Sequence, residues 1–427
     1  MALALLGSRK MGAPLSDGTN GSGRPPLRIL FTEGASTSAR QALTALGPRG
    51  YVIDICDPDA HCICRFSSFV HRFHRCPPLS KDPAGYLAFV VKLLKTRQYD
   101  ILLPIHEQGL VFAKARRWLP PVGLALPSFK AYADALDKVK FSQLLSVLRL
   151  AQPRTRIVPD VSAVPGEAEL PFVLKHPLGT ASRGVWMVNS ADDLLRARAE
   201  IGAETKPIIV QDMVSGPVEH AQAVFDRGRL VGMHAYRDLK TGVGGGAAVK
   251  ESVSRPSVRA ALIRIGRHLD WHGALSLGYI WSRGEAHYID CNPRLVEPMS
   301  AVLAGMDLPE LLVRVSLGES PREAPPGRVP VRTHLALQAM LGVAKQSGSR
   351  AAVLRESWQL FSAGGVYSGS REELTPSRVD WLSPVPVALA AVALVAHPGM
   401  AEILPRSGWG AGLLTPHAIK AIGEIEA

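Results

Sequence analysis

Apolar positions in the first third of the chain fall into short strand-length runs separated by longer helical spacings. Leu27 to Thr32 reads as a strand leading into Ser36-Thr37-Ser38-Ala39-Arg40-Gln41-Ala42-Leu43, where a serine or threonine caps a helix. Tyr51 to Ile55 predicts a second strand, Tyr86 to Leu94 a helix, Asp100 to Pro104 a strand and Gln108 to Trp118 a helix. Strands alternating with helices at this spacing predict a parallel α/β sheet, since each crossover lays a helix on a sheet face. Further along, Pro171 to Leu174 and Val185 to Val188 flank a small-residue tip and predict a hairpin, and Leu308 to Leu317 predicts an amphipathic helix. A Pro-rich linker, residues 320 to 330, then precedes helical runs such as Thr333 to Val343 and Ala351 to Phe361. The longest apolar run, Val385 to Ala396, predicts a buried helix; it falls short of the roughly 20 residues of a membrane span, so no integral membrane segment is expected.

Two segments carry chemistry. In the predicted hairpin, Lys175 ends the first strand, and Gly179, Thr180, Ser182 and Gly184 form a tip whose backbone N–H groups can approach phosphate oxygens closely. The tip matches neither the Walker pattern nor the dinucleotide fingerprint, and a plain turn is its structural alternative. The second segment is Tyr288-Ile289-Asp290-Cys291-Asn292-Pro293-Arg294. Strand alternation puts Asp290 and Asn292 on one face and Cys291 on the other. Two oxygen donors suit a hard cation such as Mg²⁺, and Arg294 adds a planar fork for a phosphate or carboxylate. A hydrogen-bonded pair closing a turn is the plainer reading of Asp290 and Asn292. His106 and Glu107 lie at the carboxyl end of a predicted strand, where ligands of parallel sheets often sit.

With Ala135-Leu136-Asp137-Lys138, with Ile208 to Gly216 and with Glu219 opening an alternating strand, the chain resembles the ATP-grasp superfamily over roughly residues 27 to 320. The likeness is to the branch of carbamoyl-phosphate-synthetase-like and biotin-carboxylase-like carboxylate-amine ligases. Residues 1–26, rich in Gly, Ser and Pro, read as a disordered tail; the resemblance implies an α/β (α+β) fold with a parallel pre-ATP-grasp domain over 27–126 and an ATP-grasp domain over 127–320, followed by a mostly helical region over 321–427. It implies that Lys138 and Lys175 contact nucleotide phosphates, that Gln211, Asp212, Met213 and Val214 form the adenine hinge, and that Glu219 lies near the ribose. It further implies ATP and Mg²⁺ as cofactors, with Asp290 and Asn292 as metal ligands. Lys175 and Arg294 would stabilise transfer of the γ-phosphoryl to a small-molecule carboxylate, which an amine then attacks. The alternatives are phosphorylation of bicarbonate and a non-catalytic ATP-binding protein. One departure bears on that choice: the family's first metal ligand, an acidic residue or glutamine, is matched here by Gly278, for which Glu251 or Glu297 are the candidate substitutes.

The chain has 427 residues and a formal net charge of +12, which points to anionic partners. Phosphates and an acidic substrate satisfy that; no nucleic-acid partner is expected, because the basic residues form no stripe with interleaved aromatics outside Arg65 to Arg75. Cys56, Cys62, Cys64 and Cys76 lie close to His61, His71 and His74, which raises a zinc site, but without a Cys-x-x-Cys pair buried thiols are the expectation. An odd number of cysteines and an apolar start too short for a signal core predict a cytoplasmic protein. The C-terminal region carries no catalytic constellation, and its expected roles are packing, homodimerisation or closure over the cleft.

Overall fold

The structure, a computed structural model, describes residues 25–179, 184–202, 207–407 and 413–426. The first sheet comprises β1 (Arg28–Phe31), β2 (Val52–Asp57), β3 (Val70–Arg75) and β4 (Ile101–Leu103), all parallel in the order β3-β2-β1-β4. The helix Thr37–Leu46 starts where Ser36 Oγ accepts the Ala39 N–H at 3.0 Å, satisfying a donor that the first turn would leave orphaned. It packs on one sheet face; Pro83–Thr96, Gly109–Lys114 and the late helix Pro416–Glu424 cover the other.

The crowded cysteines are split by this sheet. Cys62 and Cys64 enter the core on one face, Cys56 and Cys76 the core on the other, and Cys291 lies in a third core. All five are buried free thiols, and among the described residues no group of three or more His, Cys, Asp or Glu is gathered as metal ligands.

A four-stranded antiparallel sheet follows: β5 (Thr155–Val158), β6 (Phe172–Lys175), β7 (Val185–Val188) and β8 (Ile208–Asp212), in the order β5-β8-β6-β7. The helix Ala191–Ile201 buries Leu194, Ala197 and Ile201 against Phe172, Leu174, Val188 and Val210. The third sheet holds β9 (Val218–Asp226), β10 (Arg229–Thr241), β11 (Ala247–Ser252), β12 (Gly273–Ser282), β13 (Glu285–Asn292), β14 (Arg332–His334) and β15 (Arg371–Glu372). Their order is β13-β12-β9-β10-β11-β14-β15, antiparallel apart from the β14–β15 pair. The helix Pro256–His268 packs on one face of it around Trp271 and Tyr279. On the other, Val224 and Val231 join the core shared with Leu311 of Leu308–Ser316 and with the first sheet.

Residues 213–217 carry the chain from β8 to β9. Gly216 has φ +153°, and a Cβ there would stand 2.2 Å from the Trp281 carbonyl oxygen. Only glycine fits this close crossing, so Gly216→Ala should cost about 1–3 kcal/mol of stability. The check is a lower urea midpoint with an unchanged slope.

The C-terminal region differs from expectation in two ways. It contributes β14 and β15 to the edge of the seven-stranded sheet as well as helices. Its apolar helix Pro384–Ala396 is not buried as the sequence predicts: Val387 and Leu394 are buried and Ala391 and Val395 pack partly buried beside them, while Leu389 and Val392 are exposed. Being apolar all round, the sequence could not show which stripe faces inward. Leu354, Trp358 and Phe361 of the neighbouring Arg350–Phe361 are exposed too. Among the described residues no helix is long and apolar enough to cross a membrane.

Candidate active site

The cleft between the two antiparallel sheets is organised by an irregularity in β13. Asn292 pairs with Ser276 and Asp290 with Gly278, but Tyr288 pairs with Tyr279, so Ile289 is an extra residue without a partner across the ladder. Lys175, at the end of β6, donates from Nζ to the Ile289 carbonyl at 2.9 Å. Its ammonium thus reaches from the hairpin to the strand that carries Asp290. Burial lowers the Lys175 pKa to about 8; Asp290 opposes that shift and Lys138 adds to it.

Lys138 opens the helix Lys138–Val147, whose start is fixed by Asp137: its carboxylate accepts the Val139 N–H at 2.7 Å and the Lys140 N–H at 3.1 Å. The Lys138 backbone N–H donates to Pro177 O at 2.8 Å, and Nζ donates to Gly179 O while lying 3.7 Å from Asp290 Oδ1. Asn292 Nδ2 donates to Asp290 Oδ2 at 2.9 Å. The hairpin tip closes with the His176 N–H on Gly184 O at 2.8 Å, with Gly184 at φ +72°. Thr180 and Ser182 lie outside the described residues. Gln211 and Asp212 end β8, with Gln211 Nε2 donating to Thr155 Oγ1 at 2.9 Å, and Met213 and Val214 begin the crossing to β9.

The first sheet supplies the far wall. Buried Arg294 lies within electrostatic reach of Glu107, Tyr132, Glu33 and Asp290, which oppose the lowering of its pKa by burial. His106, buried beside it, is held well below its ordinary range by burial and by the Arg294 charge. Glu33, just past β1, accepts the Ala35 and Ser36 N–H groups at 2.9 Å each, yet burial and then Asp57 push it up to about 7. Glu107 does not lie in the helix, which begins at Gly109; its Oε2 accepts the Leu414 N–H at 2.7 Å. The strand-end residues and Arg294 are therefore within electrostatic reach of one another.

Three residues are not brought to this point. Glu219 pairs with Tyr279 and Arg237, one position out of step with the Asp290-Gly278-His220 row, so it lies on the opposite face. It is fully buried there and held by Arg255, Nε donating at 2.8 Å, which corrects the expectation of a ribose contact. Glu251 occupies that same face and is held by Arg237 and by Arg332, the latter at 2.8 Å. Glu297 accepts from Lys250 Nζ at 2.7 Å and Thr37 Oγ1 at 3.2 Å, so it too is engaged elsewhere.

Lys250 went unmarked in the sequence. Its Nζ also donates to Glu373 at 2.9 Å, and Glu373 accepts in turn from Thr333 Oγ1 at 2.6 Å and Gln41 Nε2 at 3.1 Å. This buried network joins the first sheet's helix, the large sheet and the C-terminal region. Its members lie too far apart in sequence for spacing to reveal it.

No family model matches the chain. The acetyl-CoA carboxylase of Dictyostelium discoideum is 25% identical over 161 residues, which is 35% of this chain and 7% of that protein. The chain thus spans under a tenth of the length of the curated relative it matches. Among solved structures, the ADP complex of an N5-carboxyaminoimidazole ribonucleotide synthetase superposes with a TM-score of 0.59 at 15% identity, covering 79% of this chain and 86% of that one. The L-amino acid ligase of Bacillus licheniformis gives 0.55 at 14% identity, covering 70% and 75%. The biotin carboxylase domain dimer of the Hydrogenobacter thermophilus 2-oxoglutarate carboxylase, solved with MgADP, ADP and bicarbonate, gives 0.54 at 15% identity, covering 71% and 73%. The chain therefore has the fold that these structures share.

Proposed function

We propose that the protein is an ATP- and Mg²⁺-dependent ligase that activates a small-molecule carboxylate as an acyl phosphate for attack by an amine. The observation that carries this reading is the convergence of Lys138, Lys175, Asp290 and Asn292 on one point between two sheets. Asp290 and Asn292 offer adjacent oxygen donors, and the Asp290 side chain is 39% exposed to the cleft, so the donor set fits a hard cation that keeps part of its shell for phosphate oxygens. Such a cation, when bound, neutralises charge on the transferring phosphoryl group.

The protein's own part is positioning and electrostatics, which suits phosphoryl transfer. Lys138 and Lys175 hold phosphate oxygens from the hairpin side. Arg294 faces the first sheet, where it orients the acceptor carboxylate and then the acyl phosphate. The hairpin, drawn down by Lys175, keeps water away from that intermediate. The amine attacks the acyl carbon, and the carbon–oxygen bond to phosphate breaks.

ADP release in the presence of Mg-ATP and pools of carboxylic acids and amines tests this. Release that depends on both an acid and an amine is expected; release driven by bicarbonate alone would move the protein to the bicarbonate-phosphorylating class. Binding without release in any pool would leave a nucleotide-binding protein.

The Lys175 titration gives a second expectation. Only its ammonium form attracts polyphosphate, so nucleotide affinity should decline as pH rises through about 8, by at most about tenfold per unit. Calorimetry at pH 7 and 9 should show the decline in the wild type and a flat profile in Lys175→Met. The same proposal divides the chain into domains at 27–126, 127–320 and 321–427. Reduced, buried thiols suit a cytoplasmic location, and the exposed apolar side chains of Arg350–Phe361 and Pro384–Ala396 suit a homodimer.

A further inference from the structure

Gly278 removes a side chain from the row that carries Asp290, and the next residue in that row is His220. Register places Asp290, Gly278, His220 and Tyr236 side by side on β13, β12, β9 and β10. A Cβ added at position 278 would stand 3.5 Å from Asp290 Cβ and 3.7 Å from His220 Nδ1. The carboxylate-bearing residue and the imidazole thus border the same space from opposite sides.

The imidazole is fixed from behind. His220 Nε2 lies 3.5 Å from Asp238 Oδ2, and the ring stacks on Tyr236 with centroids 5.2 Å apart. Asp238 is 9% exposed in its side chain, and its Oδ1 is buried with no hydrogen-bond partner. An aspartate facing one ring nitrogen favours the proton there and the lone pair on the other, the arrangement that orients metal-binding histidines. Here the nitrogen turned away from Asp238 is Nδ1, on the Gly278 side. Gln222, in the adjacent row opposite Ser276, is fully buried and has an unpartnered Oε1, so the polar character of this floor extends beyond the histidine.

We infer that His220 Nδ1 is a third protein donor at the Asp290–Asn292 cation site, occupying by reach the role that Gly278 vacates, with Asp238 as its positioning residue. The inference rests on the ligase reading only in so far as that reading puts a divalent cation on Asp290 and Asn292. A nitrogen donor beside two oxygens tilts such a site from Mg²⁺ toward Mn²⁺ and later transition metals.

The test uses the full chain with Mn²⁺ and ADP, followed by electron spin-echo spectroscopy of the bound Mn²⁺. Modulation from an imidazole nitrogen is expected in the wild type and should vanish in His220→Asn. The affinity of the ADP complex for Mn²⁺ should fall about 10- to 100-fold in His220→Asn and about tenfold in Asp238→Asn. A wild-type Mn-ADP complex without nitrogen modulation overturns the assignment alone and leaves the ligase reading standing, whatever the variants do. Modulation that persists in His220→Asn overturns it as well, by pointing to another histidine. Failure of the wild type to bind ADP at all overturns both.

Discussion

Replacing Asp290 by asparagine should slow ADP release by about a hundred- to a thousand-fold while changing nucleotide affinity little. The substitution keeps the shape of the site, because an amide oxygen at position 290 can still accept from Asn292 Nδ2, now 2.9 Å from Asp290 Oδ2. What it removes is the negative charge. The charge is required where a cation must sit against the transferring phosphoryl group, so the loss belongs to turnover, whereas the two lysines still attract the nucleotide. The same change has a second signature. Asp290 opposes the lowering of the Lys175 pKa, so without it Lys175 should titrate further below its ordinary range. The pH at which nucleotide affinity declines should then move down together with the loss of turnover. Single-turnover kinetics and calorimetry across pH check both; wild-type turnover in Asp290→Asn would sink the metal assignment.

Lys250→Met should destabilise the protein by about 3–5 kcal/mol, enough to threaten folding of a protein of ordinary stability. Lys250 is 1% exposed and is the cation for both Glu297 and Glu373. Burial alone would push a lysine toward neutrality, but the two carboxylates hold it above its ordinary range. Removing it leaves two buried carboxylates facing each other, and the penalty is that of uncompensated charge rather than of a lost contact. Its pH dependence follows. Burial raises the Glu373 pKa and Lys250 opposes that shift, so in the variant the Glu373 carboxyl has a folded-state pKa above its unfolded value and protonation favours the fold. The deficit should be largest at neutral pH and shrink as pH falls toward the ordinary carboxylate range. Urea melts of the variant and the wild type at pH 7 and 5 measure this.

The first sheet was legible because its crossover helices and apolar strands obey local rules: the predicted strand over Leu27 to Thr32 is β1, and the Ser36 cap is where the sequence puts it. Asp290 and Asn292 share a face as alternation predicts, since each pairs into β12 two positions apart. At the cleft the difference has its source in strand parity. Glu219 and His220 are neighbours in sequence, and a shift of one position decides which of them looks into the cleft. That choice is set by pairing with Gly278 across β9 and β12, a contact between residues far apart in the chain. The bulge at Ile289 is hidden for a related reason: nothing in Tyr288-Ile289-Asp290 marks the extra residue until its partner strand is in place. Lys250 was missed because its partners come from residues 297 and 373.

The bond from Lys175 to the bulged Ile289 carbonyl has a kinetic consequence. At 2.9 Å it fastens the hairpin to β13, so a phosphate group that takes over the ammonium must first part this fastening. Association should therefore stop rising with nucleotide concentration and level off at the rate of spontaneous opening. Stopped-flow traces would carry that plateau as a property of the protein, the same for every nucleotide tried. A side chain that cannot hold the carbonyl, as in Lys175→Met, would trade a slow gate for a fast, weak grip.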